Sequence, residues 1–453
     1  MKKIHMIGIG GAGMSGIAEV LTRKGHTVTG SDLKESPYTQ RLVESGIEVY
    51  IGHVAGQVGD ADEVVVSTAI PKTNLEYLEA HRRSIPVVPR AAALATIIED
   101  GRGVAVAGTH GKTTTTSMTT HVLHALGEDL TALVGGELND IGSNVAFGKS
   151  SVEKPGLVVA EADESDRSLL HLHPEAAIIT NVEFDHPDFY SSLDDVIETF
   201  EKFVAALSPE GHLVLCADDA NCMRLAENSP CRVATYGISG GDLRADILAS
   251  NMYRLFEGGE ERGIVELGVH GRHNILNSLA AVSIACWLGH DAYEAARTLS
   301  DFGGVRRRFQ IKGVEADVRV VDDYAHHPTE VLATLDVARA TTPSDGRVVA
   351  VFQPHRYSRT RKFHREFGES FGAADAVVIT EVYGAGEMPE PGVSGKLIVD
   401  AICETQNHPE VYYVPDQESI PNVLRMISGP NDTVITLGAG DVSRVGEELL
   451  AIL

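Results

Sequence analysis

Short apolar runs recur along the chain, and most end on glycine or on a polar cluster. They include residues 4–9, Glu48-Val49-Tyr50-Ile51, Glu63-Val64-Val65-Val66, Val104-Ala105-Val106-Ala107, Gly156-Leu157-Val158-Val159-Ala160 and Ala176-Ala177-Ile178-Ile179-Thr180. Four more follow: Val318-Arg319-Val320-Val321, Val348 to Phe352, Ala376 to Ile379 and Thr433 to Thr436. Runs this short and this apolar read as strands buried on both faces. Helical segments lie between them, such as Met14 to Lys24 stopped by Gly25, Thr113 to Thr120, and the Ala-rich stretch Ile275 to Leu288. Strand and helix in alternation predict parallel, doubly wound sheets. The pattern restarts near residues 97 and 304. We therefore expect an α/β protein of three domains, residues 1–96, 97–303 and 304–453: an N-terminal Rossmann-like sheet, a central P-loop ATPase-type sheet and a C-terminal Rossmann-like sheet.

Composition narrows the partners. The chain has 453 residues and a net charge of −26, with 64 acidic against 38 basic residues, which argues against nucleic acid. Local clusters such as Arg306-Arg307-Arg308 still suit an anionic small ligand. Glycines at 8, 10, 11 and 13 interrupt any hydrophobic region behind Lys2-Lys3, and no run is long and apolar enough to span a bilayer. Five scattered cysteines, with Cys216, Cys222 and Cys231 at no zinc spacing, fit a reducing cytoplasm. The expectation is a cytoplasmic enzyme without membrane or nucleic-acid partners, as monomer or homodimer.

Two glycine loops carry the first chemistry. Gly8-Ile9-Gly10-Gly11-Ala12-Gly13 follows a strand and opens a helix, and Asp32 ends the next strand. That is a dinucleotide or diphosphate turn; an NAD-dependent oxidoreductase reading fits it as well as a UDP one. Gly108-Thr109-His110-Gly111-Lys112-Thr113 likewise joins a strand to a helix. Such a loop turns backbone N–H groups toward a phosphate, with Lys112 on the β/γ-phosphates and the Thr113 hydroxyl on Mg²⁺. Val106 stands where the usual loop has its first glycine.

Polar clusters at strand ends supply the rest. Glu161 begins Glu161-Ala162-Asp163-Glu164-Ser165-Asp166, and carboxylates so crowded need cations nearby. Glu161 is a Mg²⁺ ligand or a solvated carboxylate, and His186 a ligand or a structural histidine. Gly271-Arg272-His273-Asn274 precedes the Ala-rich helix. Asp322-Asp323-Tyr324-Ala325-His326-His327-Pro328-Thr329-Glu330 and Gln353-Pro354-His355-Arg356-Tyr357-Ser358-Arg359-Thr360 each follow a strand of the third unit. Arg356 and Arg359 suit a carboxylate or a solvated face, and the His326-His327 pair leaves a metal site open. Arg308 reaches a γ-phosphate on closure or serves as an interdomain ion-pair residue.

These motifs, in this order over nearly the whole chain, resemble the Mur ligase family, ATP-dependent amide-forming enzymes of peptidoglycan precursor synthesis. The phosphate loop, including its missing first glycine, resembles the family at large; the His-rich and His-Arg-Tyr-Ser-Arg clusters resemble its alanine-adding member. The resemblance implies ATP-dependent ligation of L-alanine to the lactyl carboxylate of UDP-N-acetylmuramate through an acyl phosphate, with ATP and two Mg²⁺ ions, or Mn²⁺ in their place. A ligase adding a ready-made murein peptide to the same UDP-sugar is the alternative within the family.

The resemblance also implies roles. Gly108, Thr109, Gly111, Lys112, Thr113 and Thr114 would cradle the ATP phosphates, with Thr113 and Glu161 on the first metal and His186 on the second. His273 and Asn274 would face adenine, Asp323 the ribose, and Arg308 the γ-phosphate and acyl phosphate. Tyr324, His326, His355, Arg356 and Arg359 would surround the amino acid, with His326 a candidate base because an ordinary imidazole titrates near neutrality. His110 would lie near the sugar-linked carboxylate. Gly10, Gly11, Gly13, Asp32, Ser67 and Thr68 would bind the UDP diphosphate. The carbamoylated lysine of several relatives is not assigned, since Lys202 does not fall cleanly at its position.

Overall fold

In the computed structural model, which describes residues 1–139, 141–149 and 156–453, the apolar runs form strands of three sheets, most of them central, although Glu48–Ile51 is a partly exposed edge strand rather than one buried on both faces. The first contains β1 (Lys3–Ile7), β2 (Thr27–Asp32), β3 (Glu48–Ile51), β4 (Glu63–Val66) and β5 (Val87–Pro89) in the order β3-β2-β1-β4-β5. Every pairing in it is parallel.

The second sheet has ten strands: β6 (Arg102–Ala107), β7 (Leu130–Leu138), β8 (Ser143–Ala146), β9 (Leu157–Glu161), β10 (Ala176–Ile179), β11 (His212–Cys216), β12 (Arg232–Gly237), β13 (Leu243–Ala249), β14 (Met252–Glu257) and β15 (Glu260–Glu266). Their order is β15-β14-β13-β12-β11-β10-β6-β9-β7-β8. Strand β6 sits between β10 and β9, parallel to both, so the phosphate loop leaves the sheet flanked by the ends of β9 and β10. The expected all-parallel sheet needs correction at its margins: β7–β8 and β13–β14–β15 pair antiparallel.

The third sheet comprises β16 (Gln310–Glu315), β17 (Val318–Asp323), β18 (Val348–Phe352), β19 (Ala376–Ile379), β20 (Glu410–Tyr413) and β21 (Thr433–Leu437). The order is β16-β17-β21-β18-β19-β20, with only β16 antiparallel.

One continuous apolar cluster, from Ile4 to Val305, runs through the first and second sheets. Contact between them is close because the helix Ala12–Arg23 carries Gly16 where it meets the β7–β8 hairpin; a Cβ there would stand 2.9 Å from Val145 Cγ2. The third sheet has its own two apolar clusters, one on each face. The division expected after residue 96 falls inside the helix Arg90–Glu99, whereas Gly303 and Gly304 lie in a segment outside any element. Among the described residues, no helix is long and apolar enough to cross a membrane.

Candidate active site

The phosphate loop is anchored to the end of β10. Thr109 N–H donates to the Asn181 carbonyl at 3.0 Å, His110 N–H to Asn181 Oδ1 at 2.8 Å, and Thr180 Oγ1 to the His110 carbonyl at 2.6 Å. Two glycines are obligatory here. Gly108 has φ +129°, and a Cβ on it would lie 2.0 Å from Thr180 Oγ1; Gly111 caps the helix Lys112–Ala125 at φ +81°. The first N–H groups of that helix lack an intrahelical acceptor and face the loop, an anion-binding arrangement.

Lys112 is the loop's cation. Its Nζ donates to the Gly108 carbonyl at 2.7 Å, to the Thr109 carbonyl at 3.1 Å and to Glu164 Oε1 at 2.9 Å. Burial alone would lower its pKa, but Glu164, Asp163 and Glu161 outweigh burial and hold the ammonium charged. Glu164 is only 1% exposed, and burial, opposed by Lys112, raises its pKa to about 7. The crowded acidic loop thus has its cations in the protein: Lys112 on Glu164, and Arg90 at 3.8 Å from Asp163.

Glu161 and Thr113 flank the glycine pair 135–136 of β7. Gly135 N–H donates to Glu161 Oε2 at 2.9 Å; a Cβ on Gly135 would stand 2.4 Å from that oxygen, and one on Gly136 3.1 Å from Thr113 Cγ2. Side chains at 135 and 136 would fill the gap that glycines keep open. A hydroxyl and a carboxylate around such a gap are the oxygen donors a hard divalent cation takes. His186, in the left-handed region at φ +53°, places Nε2 3.7 Å from Glu164 Oε1 and 3.6 Å from Asp185 Oδ2. Burial lowers its pKa, which keeps the imidazole neutral as a metal ligand requires. Lys202 is remote from this chemistry, exposed on the helix Leu193–Ala205 and paired with Glu198 at 2.7 Å.

A cavity of 960 Å³ opens beside the loop, between the second and third sheets. His110, Gly111, Thr114, His273, Asn274, Arg308 and Asp323 all line it. Asn274 donates from Nδ2 to the His270 carbonyl at 2.7 Å, and burial brings His273 down to about 4. Asp323 accepts from Phe309 N–H at 2.7 Å and Ala325 N–H at 2.8 Å, and burial raises its pKa to about 6. Arg308 stacks over the Tyr324 ring at 5.2 Å and approaches Glu330 at 3.9 Å.

The third domain's cluster assembles as the sequence suggests, but with internal partners. Tyr324, His326 and His355 meet edge to face at centroid distances of 5.4 and 5.7 Å, and Arg359 Nη1 lies 3.2 Å from His355 Nδ1. Arg359, 2% exposed, spends its fork on Asp185 of the second domain at 2.9 and 3.0 Å. Arg356, the N-cap of the helix Tyr357–Ser370 at φ +69°, pairs with Asp188 and keeps more access.

Two expectations are corrected. His326 does not titrate near neutrality: burial, resisted mainly by Glu330, brings it to about 4, too weak a base to hold a proton at pH 7. His110 does not present a free ring to a substrate carboxylate. Its Nε2 meets Glu183 at 3.0 Å and its Nδ1 meets Glu330 at 3.3 Å; these partners overcome burial and raise its pKa to about 10. The open alternative of a metal on His326-His327 also shifts. The grouping with ligand atoms within 4.8 Å of one another, among the described residues, is His110, Glu183 and His327, and there the protonated His110 already supplies the cation.

The first domain contributes a smaller crevice of 270 Å³, lined by Gly11, Gly13, Ser67, Arg90 and Glu161 among others, which leads from the first glycine turn toward Glu161. Asp32 Oδ2 accepts from Gly10 N–H at 2.9 Å, so it shapes the turn itself, and Thr68 is exposed. Glu183, Asp185, Glu330 and Arg90 had no assigned role in the sequence reading, and Glu164 entered it only as one of the crowded carboxylates. Glu330 carried a detectable signal, a carboxylate three residues after a helix cap; it accepts from the N–H of His326 and of His327.

Comparison with known proteins covers the chain from end to end. Residues 3–102 match the description "Mur ligase family, catalytic domain", residues 106–285 "Mur ligase middle domain", and residues 307–440 "Mur ligase, glutamate ligase domain". The chain is 74% identical to a UDP-N-acetylmuramate–L-alanine ligase of Rubrobacter xylanophilus over 100% of both chains, and 45% identical to one of Desulforamulus reducens over 99% of this chain and 97% of that one. Among solved structures it resembles the UDP-N-acetylmuramate–alanine ligase of Thermotoga maritima, with TM-score 0.82, 30% identity and coverage of 100% and 99%. A murein peptide ligase of Psychrobacter arcticus aligns with TM-score 0.74, 25% identity and coverage of 100% and 98%.

Proposed function

The chain belongs to the Mur ligase family, and we propose that it joins L-alanine to the lactyl carboxylate of UDP-N-acetylmuramate with ATP as the energy source, in peptidoglycan synthesis. The observation that carries this is the 74% identity to an alanine-adding relative across the full length of both chains.

A free carboxylate is a poor acyl donor. ATP converts it to an acyl phosphate, and attack of the alanine amine then expels phosphate. The chain's own residues position and neutralise the reactants. In our reading Lys112 and the N–H groups around Gly108–Thr114 hold the phosphates, His273 and Asn274 face adenine, and Asp323 the ribose. Arg308 lies on the same cavity wall, where a guanidinium offsets charge on the transferred phosphoryl group. Thr113 with Glu161, and His186 separately, are the groups to hold Mg²⁺, which supplies charge neutralisation at the phosphates when bound. Gly10, Gly11, Gly13, Asp32, Ser67 and Thr68 form the diphosphate turn. Tyr324, His326, His355, Arg356 and Arg359 enclose the amino acid; burial holds His326 and His355 neutral, so both shape the pocket, and either His326, a weaker base than an ordinary imidazole, or an ordered water is the candidate acceptor of the amine proton. We place the domain divisions near residues 96 and 303.

Phosphate release with UDP-N-acetylmuramate and L-alanine, L-serine, glycine or a murein tripeptide in turn tests this. Alanine-dependent release that requires the UDP-sugar is expected. Release that ignores the UDP-sugar, or that needs the tripeptide, overturns it.

A further inference from the structure

Glu164 holds the ammonium of the phosphate loop. An ammonium has three donors, and all three of Lys112 are engaged: by the Gly108 carbonyl at 2.7 Å, the Thr109 carbonyl at 3.1 Å and the Glu164 carboxylate at 2.7 Å from its nearer oxygen. The two carbonyls belong to the phosphate loop itself, so Lys112 is folded back onto its own loop. Glu164 is the acidic member of the set. Its neighbours are otherwise engaged: Glu161 accepts from Gly135 N–H, and Asp163 accepts from Ser165 N–H and faces Arg90. Glu164 is 1% exposed, and Tyr190 Oη donates to its carbonyl, which pins the backbone that aims it.

The geometry points to Glu164 as an internal competitor for the nucleotide, a positioning residue that holds Lys112 until phosphate and metal arrive together. The inference rests on the assignment of Lys112 to the ATP phosphates. A phosphate entering the loop must draw Lys112 away from Glu164. That leaves a buried carboxylate without its cation, which must then take up a proton or another cation. His186 Nε2 stands 3.7 Å from Glu164 Oε1, so the displaced carboxylate borders the residue proposed to hold the second cation. Nucleotide without metal is therefore penalised, and nucleotide with metal is not. Such coupling keeps free ATP from occupying the loop in an arrangement that cannot transfer phosphate.

The test is equilibrium binding of a fluorescent N-methylanthraniloyl-ADP, in EDTA and in Mg²⁺, to the full chain and to Glu164→Gln and Glu164→Asp. If Glu164 sequesters Lys112 in about nine molecules of ten, its neutralisation tightens metal-free binding about tenfold. The aspartate, one methylene shorter, gives a smaller gain in the same direction. The gain in affinity on adding Mg²⁺ shrinks in Glu164→Gln. Damage to the fold weakens binding in both conditions and cannot mimic this pattern. Metal-free affinity that is unchanged or weaker in a folded Glu164→Gln overturns the proposal. Should that variant not fold, the same result in Glu164→Asp does so. If the unaltered chain binds no nucleotide, the Lys112 assignment fails first, and the proposal with it.

Discussion

Two glycine loops, a hundred residues apart, use one backbone device for different tasks. Both leave a parallel strand, turn on glycine and deliver free N–H groups at a helix start. The first, Gly8 to Gly13, carries no charged side chain of its own; Asp32 fastens Gly10, and Gly11 caps its helix at an ordinary φ of −71°. The second, Gly108 to Thr113, has both glycines at positive φ, as Gly8 is in the first, but it also carries Lys112 and His110 and is faced by five carboxylates from other elements. On the proposed assignments, a loop that only grips a diphosphate can rely on backbone polarity. One that steers phosphoryl transfer needs charge, and buried charge must be countered by the protein before any ligand arrives.

The sharpest break in the comparison is Lys112→Ala. It has no counterpart in the first loop, and it should cut ADP release with both substrates by about 10³-fold or more; turnover within tenfold of the parent would remove Lys112 from the mechanism. Gly108→Ala follows, with a Cβ 2.0 Å from Thr180 Oγ1 at a φ side chains rarely adopt. It should destabilise by about 3 kcal/mol in denaturant titration. Gly11→Ala sharpens the contrast, because the nearest atom to its Cβ is 3.6 Å away. Its stability should change by less than about 0.5 kcal/mol, while UDP-N-acetylmuramate binding weakens; a large loss of stability would erase the distinction between the loops.

A pH effect is the smallest and belongs to the second loop alone. His110 is raised to about 10 from 6.5, so its contribution is complete below about pH 6.5 and lost progressively as pH rises to about 10. Melting at pH 9.5 should fall by about 2–4 °C relative to pH 6.5 in the parent, and His110→Gln should remove that part of the decline. An equal decline in His110→Gln would show that the ion pair contributes nothing.

Central strands were legible because parallel strands buried on both faces must be apolar throughout, as Val348–Phe352 and Ala376–Ile379 are. Most marginal strands were not, Glu48–Ile51 being an exception. Glu260–Glu266 reads EERGIVE, an edge strand with charges facing water, and such a pattern resembles loop until its partner is known. Site residues at strand ends were legible from their motifs, but their partners were not. His110 and Glu330 are 220 positions apart, and Lys112 and Glu164 are 52 apart, so no local spacing announces either pair. Nor does sequence carry burial, which separates His326 at about 4 from His110 at about 10.

The apolar cluster shared by the first two sheets has a consequence for how the chain comes apart. The first sheet has a small cluster of its own around Ile7, Val58, Val64 and Ala80, but its main core is shared with the second sheet and the two lose it together, whereas the third has cores of its own and meets the second at the active site through pairs such as Arg359–Asp185, Arg356–Asp188 and His110–Glu330. Heating should therefore resolve two cooperative blocks rather than three, with the carboxy-terminal block detaching as a folded unit when those polar pairs give way.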